Sequence, residues 1–283
     1  MSFFINSGMV KATIKKLLPR SAKLLAKLAI RYFKDLSNGT LSRFAHSSEI
    51  NPTFKTTLQV QQPILNSKVL RSKENKVHNI VQGASSIAAV ELAPGQVFSF
   101  WKALGKPSKK NGYKEGINII EGKVKEETGG GLCQLATIVY HTALKAGLTV
   151  EERYNHSVDL YTTEERYTPL GSDASVFYGY KDLRFVNNLS QPVRFQFNIT
   201  NDELTCHLLS DSPIQPREII FETVFEGSTH ERVLTKQVTN GEEEVIATSN
   251  YIVLPPSETP LQQETMVKKS SIMTTPYLEK SSI

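Results

Sequence analysis

Three consecutive glycines and a leucine stand before a cysteine and a helical pattern in the stretch ETGGGLCQLATIVYHTALKAGL, residues 127–148. Glycine reaches backbone conformations that other residues avoid, and it lets a neighbouring group approach the main chain closely. Gly147 follows Lys145 in the capping position expected at the end of a helix. The apolar stripe of the predicted helix consists of Leu135, Ile138, Val139 and Leu144. The pattern therefore predicts a tight turn that delivers Cys133 to the beginning of a helix.

A cysteine in this position lies at the positive end of the helix dipole, which favours the thiolate and raises its reactivity near neutral pH. Unpaired amides of the first helical turn also suit the oxyanion of an acyl-transfer intermediate. We therefore predict Cys133 as a nucleophile and Gly130, Gly131 and Gln134 as substrate-binding residues. The alternative is an inert, buried cysteine at a bend, and the residues alone leave both interpretations open.

A nucleophilic cysteine requires a base within roughly 2.6–3.2 Å. His141 lies eight residues further along the same helix, a rise of about 12 Å, so it is too far away. The segment LTVEERYNHSVDLY reads as extended, and His156 shares a face with apolar neighbours in it, so His156 is the predicted base. His46, His78 and His230 are expected at the surface or in packing positions, whereas His207 falls opposite a predicted apolar face and is expected to be exposed to solvent.

Asp173, in PLGSDASVFYGY, is the predicted carboxylate that orients His156, and the alternative is a turn aspartate that bonds its own backbone. Cys206 alternates with leucines on a predicted strand and is therefore expected in the core. Two cysteines cannot form a four-thiolate zinc site, and Cys133, His156 and Asp173 lack compact ligand spacing. We therefore expect no metal and no cofactor.

The net charge of +5 is unevenly distributed along the chain. Residues 1–80 carry 14 Lys or Arg and 3 Asp or Glu, or +11, which leaves −6 for the other 203 residues. Most of the positive charge lies in KATIKKLLPRSAKLLAKLAIRYFKDL, where Lys23, Lys27 and Arg31 recur every four residues among leucines. This pattern predicts a basic amphipathic helix within residues 1–40, which either lies on an anionic membrane surface or packs on the core with a solvated basic face. No reader fold follows it, so no nucleic acid partner is expected.

Lysines interrupt each apolar run near the N-terminus, and no stretch approaches the ~18 apolar residues of a membrane span. No signal peptide or transmembrane helix is therefore predicted. We expect a cytoplasmic protein, or a peripheral one at the inner membrane face, rather than a secreted one. Contact with a membrane is expected through the N-terminal basic helix.

The order of elements predicts an α+β fold in which the central helix packs on an antiparallel sheet. DLRFVNN, PVRFQFNI and ELTCHLL read as successive strands, and further strands follow residue 217 with a hairpin turn at Asn240 and Gly241. Five segments are predicted: a basic helix at 1–40, a polar linker at 41–75, a core domain at 76–212, a β-rich extension at 213–254 and a disordered tail at 255–283.

Several uncommon motifs in the right order resemble the VanW family, which is named for an accessory gene product of bacterial vancomycin-resistance clusters. The motifs are VFSFWKALGKPSKKNGYKEG, GGGLCQLA, AGLTVEERYNHS and GSDASVFYGYKDLRFVNN, and the likeness covers roughly residues 76–210. The family signature falls on Gly129, Gly130, Gly131, Cys133 and Gln134, then on Glu152, Arg153, His156 and Ser157, and then on Asp173, Ala174, Asp182 and Leu183. The resemblance implies a role in cell-wall modification or glycopeptide resistance, with peptidoglycan or its precursors as the partner. Some exported members resemble L,D-transpeptidases that act through a cysteine acyl-enzyme.

A helix-initial cysteine followed by a strand histidine and an aspartate also looks like transglutaminase and papain-type cores, a likeness that would bring Cys133 and His156 together. We therefore expect an acyl transferase in which Cys133 attacks a peptide carbonyl and His156 serves as base and acid. Asp173 would orient His156, and Arg153 would hold a substrate carboxylate. The alternative is a non-catalytic accessory protein that binds wall precursors or a membrane partner.

Overall fold

The computed structural model describes residues 19–49, 53–64, 70–120, 123–159, 168–225 and 229–253. The predicted disordered tail at 255–283 and the first 18 residues of the predicted basic segment lie outside the described residues. The helices are α1 (Arg20–Ser37), α2 (Leu70–Ala88), α3 (Phe100–Leu104) and α4 (Leu132–Ala146). The strands are β1 (Lys55–Pro63), β2 (Glu91–Leu92), β3 (Val97–Ser99), β4 (Glu115–Ile120), β5 (Lys123–Thr128), β6 (Thr149–Glu152), β7 (Val158–Asp159), β8 (Arg184–Val186), β9 (Val193–Ile199), β10 (Glu203–Ser210), β11 (Glu218–Phe225), β12 (His230–Thr239) and β13 (Glu242–Val253).

The described strands form mainly antiparallel sheets. The first sheet has the order β1–β10–β9–β2, and the second has the order β11–β12–β13–β7. Strands β3, β8 and β6 form a third sheet, and β4 pairs with β5. β13 and β7 pair in parallel. The predicted α+β class with antiparallel sheets is therefore confirmed.

Helix α4 lies at the centre of the hydrophobic core. Leu135, Ile138 and Val139 are fully buried, and the helix contacts α2, β1 and β10. Burying an aliphatic side chain of this size contributes about 1.5–3 kcal/mol relative to leaving it exposed. The helix is followed by Gly147, whose φ of 74° is the left-handed conformation of a C-terminal cap. The predicted helix and its glycine cap are therefore confirmed.

Residues 41–75 do not form the polar linker that the composition predicts. Strand β1 lies within this segment and pairs antiparallel with β10, so that Val60 stands opposite Cys206. Leu58, Val60 and Gln62 are buried, whereas the residues between them are exposed. Because burial falls on alternate residues, the segment is polar on average although it is a half-buried edge strand.

The C-terminal sheet brings β13 against the segment that leads into β7. Strands β12 and β13 turn at Asn240 (φ 54°) and Gly241 (φ 81°), so the predicted Asn-Gly hairpin is confirmed. Further along β13, the amide of Ile252 donates to the Ser157 carbonyl at 2.9 Å. The C-terminal sheet therefore contacts the loop that carries His156.

Helix α1 is attached to the core by charged side chains. Arg31 donates to Glu152 of β6 at 2.7 and 2.9 Å, and Arg184 of β8 donates to Asp35 at 2.7 and 3.0 Å. Within the described residues, no helix combines the length and the hydropathy that crossing a membrane requires.

Candidate active site

Close packing of the backbone fixes the glycine turn before α4. Gly129 and Gly131 have φ values of 95° and 100°, which lie in the left-handed region. A Cβ atom on Gly130 would lie 2.5 Å from the carbonyl carbon of Gly116, and the Gly130 carbonyl accepts from Asn79 Nδ2 at 2.9 Å. The predicted tight turn is confirmed, and packing within the protein accounts for it. The contact of Gly130 and Gly131 with a substrate stays a prediction.

Cys133 lies in the first turn of α4. The amide of Gln134 donates to the Gly131 carbonyl at 3.0 Å, whereas the amide of Cys133 donates to no backbone carbonyl of the described residues. The Cys133 side chain is half-buried, and its Sγ lies 3.7 Å from the Val176 carbonyl oxygen. The thiol therefore lies beside an amide that has a hydrogen to donate.

The side chains of His156 and Cys133 lie close enough to shift each other's pKa. His156 does not stand on a strand as predicted, because β6 ends at Glu152 and the chain is irregular until β7 begins at Val158. Its Nδ1 lies 2.6 Å from Oδ2 of Asp173, and its backbone amide donates to the same oxygen at 2.7 Å. Nδ1 therefore carries its proton toward the carboxylate, which leaves Nε2 as the nitrogen available to the sulfur.

Asp173 is buried and accepts hydrogen bonds on both carboxylate oxygens. In addition to the contacts of Oδ2 with His156, Oδ1 accepts from Arg153 Nη2 at 2.9 Å and from the Tyr251 hydroxyl at 2.5 Å. A buried carboxylate is tolerated when it is paired with a cation and hydrogen-bonded in this way. Asp173 is therefore not a turn aspartate that bonds only its own local backbone, as the alternative prediction had it.

These contacts shift the ionisation of the three residues. Burial alone raises the pKa of the Cys133 thiol, but His156, a hydrogen bond with the Val176 backbone and the charge of Lys181 together outweigh burial, so the pKa is lowered. Burial alone lowers the pKa of His156, but its hydrogen bonds with Asp173 and Cys133 raise that pKa to about 10. Burial alone raises the pKa of Asp173, but His156 and Arg153 outweigh it and lower that pKa. The arrangement therefore favours a Cys133 thiolate beside a His156 imidazolium.

Arg153 occupies a different place from the one expected of a residue that binds a substrate carboxylate. Its side chain is buried, with 6% exposure. It donates to the Asp173 carbonyl at 2.7 Å, to the Gly171 carbonyl at 2.9 Å and to Ser249 Oγ, as well as to Asp173 Oδ1. Because these internal acceptors occupy its nitrogens, Arg153 holds Asp173 in position, and its contact with a substrate carboxylate stays a prediction.

Two other side chains are oriented differently from the sequence prediction. Gln134, expected to donate to a substrate, is buried and donates from Nε2 to the Pro63 carbonyl at 2.8 Å. Tyr154 is one of the apolar neighbours that the extended pattern places on the same inward face as His156, but its side chain is 40% exposed. The chain leaves the extended path here because the Tyr154 carbonyl accepts from the Ser175 amide at 2.7 Å.

Tyr251 and Ser249 are residues of the site to which no sequence motif points. The Tyr251 hydroxyl accepts from the Gly171 amide at 2.9 Å and donates to Asp173, and Ser249 accepts from Arg153. Both side chains are buried on β13, and their immediate neighbours on the strand are exposed or half-buried. Residues two positions apart on a strand share a face, so the spacing of Ser249 and Tyr251 in SNYIV is the signal that could have placed both on the inner face.

The other cysteine and two further histidines are packing residues. Cys206 is fully buried on β10, and burial raises its pKa to about 12, so its predicted core position is confirmed. His141 packs edge-on against Phe221, and burial lowers its pKa to about 4. The expected exposure of His207 is wrong: among the described residues, its ring nitrogens are buried without a hydrogen-bond partner. The reason is that β10 is covered on both faces.

A half-buried cysteine at the beginning of a helix, a histidine in contact with it and an aspartate on that histidine form a Cys-His-Asp arrangement. Residues 75–209 match the family model described as VanW like protein. Slightly less than half of the chain is therefore similar to the VanW family, and Cys133, His156 and Asp173 lie inside the matched residues. Helix α1 and Tyr251 lie outside them.

Two curated relatives match about half of the chain. The uncharacterized protein YoaR of Bacillus subtilis (strain 168) is 32% identical over 146 residues, which cover 52% of this chain and 46% of that protein. The vancomycin B-type resistance protein VanW of Enterococcus faecalis (strain ATCC 700802 / V583) is 27% identical over 143 residues, which cover 50% of this chain and 52% of that protein. The matched region thus spans about half the length of these relatives. No solved structure matches the chain.

Proposed function

We propose that the VanW-like domain is a cysteine-dependent acyl transferase that acts on peptide bonds of peptidoglycan or its precursor stem peptides. The observation that carries this proposal is that His156 is hydrogen-bonded to Asp173 and lies beside Cys133 at the beginning of α4, where the two side chains shift each other's pKa. The relative named as a vancomycin B-type resistance protein supports a role in cell-wall modification or glycopeptide resistance.

In the first step, the Cys133 thiolate attacks the carbonyl carbon of a peptide bond and forms a C–S bond. The negative oxygen develops beside the first turn of α4, where the helix dipole favours it and the Cys133 amide has no backbone acceptor among the described residues. The His156 imidazolium then donates a proton to the leaving nitrogen as the C–N bond breaks. The products of this step are a thioester on Cys133 and a free amine.

In the second step, neutral His156 removes a proton from an amine or a water molecule, which attacks the thioester carbon. The C–S bond breaks and its electron pair returns to sulfur, so the thiolate and the imidazolium are restored. An amine acceptor gives transpeptidation, and water gives hydrolysis. Asp173 stays ionised throughout, because it holds Nδ1 of His156 and stabilises the imidazolium charge.

A likeness to transglutaminase and papain-type cores belongs to the same proposal. The order of Cys133, His156 and Asp173 along the chain and the contacts among their side chains support it. The histidine differs in its setting, since His156 lies in the irregular segment between β6 and β7 and not on a strand.

Intact-mass spectrometry after incubation with purified peptidoglycan stem peptides tests the acyl-transfer proposal. The expected result is an acyl adduct on the wild-type protein that is absent from Cys133→Ala. The matched control is Cys206→Ala, which removes the fully buried sulfur and should retain the adduct. An adduct that persists in Cys133→Ala, or a wild-type protein that forms no adduct and leaves the peptides unchanged, would overturn the proposal.

A non-catalytic protein that binds wall precursors is the second candidate. It is favoured by the observation that packing alone accounts for the glycine turn and that internal hydrogen bonds occupy Arg153. Calorimetric titration with the same stem peptides separates the two candidates. A binding protein would retain its affinity in Cys133→Ala and would release the peptide unmodified.

A further inference from the structure

One face of helix α1 is docked on the core. Leu24 and Leu28 lie over Gly179, where a Cβ atom would be 2.4 Å from Leu24 Cδ1. Arg31 continues this row and donates to a glutamate of β6 at 2.7 Å. The spacing of the three residues, four and then three positions apart, places them on one side of the helix.

The outer surface of α1 is apolar. Five large side chains have exposed fractions of 53–67%. They form the outer apolar face of α1, which consists of Leu25, Ile30, Tyr32, Phe33 and Leu36. At 3.6 residues per turn, these positions spread over the part of the helix that points away from the docked row. Isolated exposed apolar residues are ordinary, whereas a continuous patch of them marks an interaction surface.

A basic row borders this face along one side. It consists of Arg20, Lys23, Lys27 and Lys34, which follow one another at helical spacing. Residues 1–37 as a whole carry eight Lys or Arg and one Asp. Long basic side chains can lay their aliphatic stems along an apolar surface and keep the charged group at its border.

We infer that α1 docks on the surface of an anionic lipid bilayer. The outer apolar face would enter the boundary between headgroups and acyl chains, and the basic row would contact lipid phosphates. Apolar burial and attraction to anionic lipid are the two contributions by which interfacial helices bind, and α1 carries both on its exposed surface. A second copy of the chain would also cover the apolar face, but it would bring two basic rows together, and like charges repel. The inference does not depend on the acyl-transfer chemistry.

Co-sedimentation of the full chain with phosphatidylcholine vesicles, with and without phosphatidylglycerol, tests this docking. The wild type should bind the anionic vesicles on the order of tenfold more tightly than the neutral ones, and added salt should reduce the difference. Replacing Leu25, Phe33 and Leu36 together by Ser should weaken binding by at least about tenfold, because their burial in the bilayer is lost. Lys27→Gln with Lys34→Gln should reduce the preference for anionic vesicles.

The matched control for the apolar variant is Val245→Ser with Ile246→Ser. These residues are also exposed and apolar, but they lie on β13, so vesicle binding should be unchanged. A wild type that binds neither vesicle, or an apolar-face variant that binds as tightly as the wild type, overturns the inference. Light scattering that shows a dimer which the apolar-face variant dissociates also overturns it, because a second copy would then cover the face. Circular dichroism melting verifies that each variant is folded.

Discussion

At the scale of single residues, the ionisation of the Cys133 sulfur depends on contacts that extend to Tyr251. Burial, followed by the charge of Asp173, raises the pKa of Tyr251, so its hydroxyl keeps its proton and donates it to that carboxylate. Asp173 in turn raises the pKa of His156, and His156 lowers the pKa of Cys133. A hydroxyl on β13 therefore binds the carboxylate that raises the pKa of His156, without touching the sulfur.

Cys133 should react with iodoacetamide at a lower pH than an ordinary cysteine, whose pKa is about 8.5. Its rate rises as the pH passes the lowered thiol pKa, and the ion pair persists until His156 loses its proton near pH 10. His156→Gln removes the cation, so the midpoint of the rate profile should move up by about 1–3 pH units. Peptide mass spectrometry at a series of pH values gives the midpoint. His230→Gln, at an exposed position on β12, should keep the wild-type midpoint, and an unchanged midpoint in His156→Gln would contradict the role of His156.

Tyr251→Phe should lower the stability of the fold and raise the pKa of the Cys133 thiol. The substitution removes the bond to Asp173 and leaves the Gly171 amide without its acceptor, so the free energy of unfolding should fall by about 1.5–3 kcal/mol. The alkylation midpoint of Cys133 should rise, by less than in His156→Gln. Tyr113→Phe is the matched control, because the Tyr113 hydroxyl is buried without a hydrogen-bond partner among the described residues. A loss of stability with an unchanged alkylation profile would make Tyr251 a purely structural residue.

At the scale of elements, the sequence predicts those whose residues repeat with a clear period. The apolar stripe gives α4, and the Asn-Gly pair gives the turn between β12 and β13. Strand β1 is not predicted, because its extended conformation is stabilised by pairing with β10, which lies more than a hundred residues away in the sequence. The irregular conformation of residues 153–156 is not predicted for a similar reason. It depends on a hydrogen bond from the Ser175 amide to the Tyr154 carbonyl, which forms only in the folded chain.

The same distinction applies to the candidate site. Residue chemistry alone selects a cysteine, a histidine and an aspartate, because few side chains can act as nucleophile, base and orienting acceptor. The orientation of Arg153 depends on the acceptors around it, which are the carbonyls of Gly171 and Asp173 and the hydroxyl of Ser249. Those acceptors come together only in the folded chain, so a charge next to a motif is a poor guide to substrate binding.

Gly130→Ala should destabilise the beginning of α4 through a direct collision. The new Cβ would lie 2.5 Å from the carbonyl carbon of Gly116, and both contacting groups are backbone, so neither can rotate away. Urea unfolding should show that the free energy of unfolding falls by about 1–3 kcal/mol, the usual cost of overpacking. Alkylation of Cys133 should also change, because the turn that precedes it shifts. Gly95→Ala is the comparison, because its φ of 78° costs stability but its Cβ meets nothing within 4 Å. It should leave Cys133 alkylation unchanged, and equal effects of both variants on alkylation would contradict this explanation.

At the scale of the whole molecule, the site is assembled from segments on both sides of the family-matched residues. Helix α1 precedes residues 75–209 and binds Glu152, which directly precedes Arg153. Strand β13 follows them and supplies the hydroxyl that binds Asp173. Strand β13 thus contacts the aspartate that orients His156, and α1 contacts the residue next to Arg153, although neither element is part of the family match.

The attachment of α1 should depend on Asp35. Arg184 donates to both carboxylate oxygens of Asp35, and the two side chains are 11% and 6% exposed. Asp35→Asn removes the negative charge, but Arg184 keeps its ion pair with Asp182 at 2.9 Å. Breaking a buried ion pair costs roughly 3–5 kcal/mol, and we expect the free energy of unfolding to fall by an amount near the lower end of this range. Asp202→Asn is the matched control, since Asp202 also pairs with a cation but is 79% exposed, and its loss should cost at most about 1 kcal/mol. Urea unfolding of both variants measures the difference. Equal losses would mean that the Asp35–Arg184 pair is not what holds α1 on the core, and the basic helix would then be retained by Leu24, Leu28 and the Arg31–Glu152 pair.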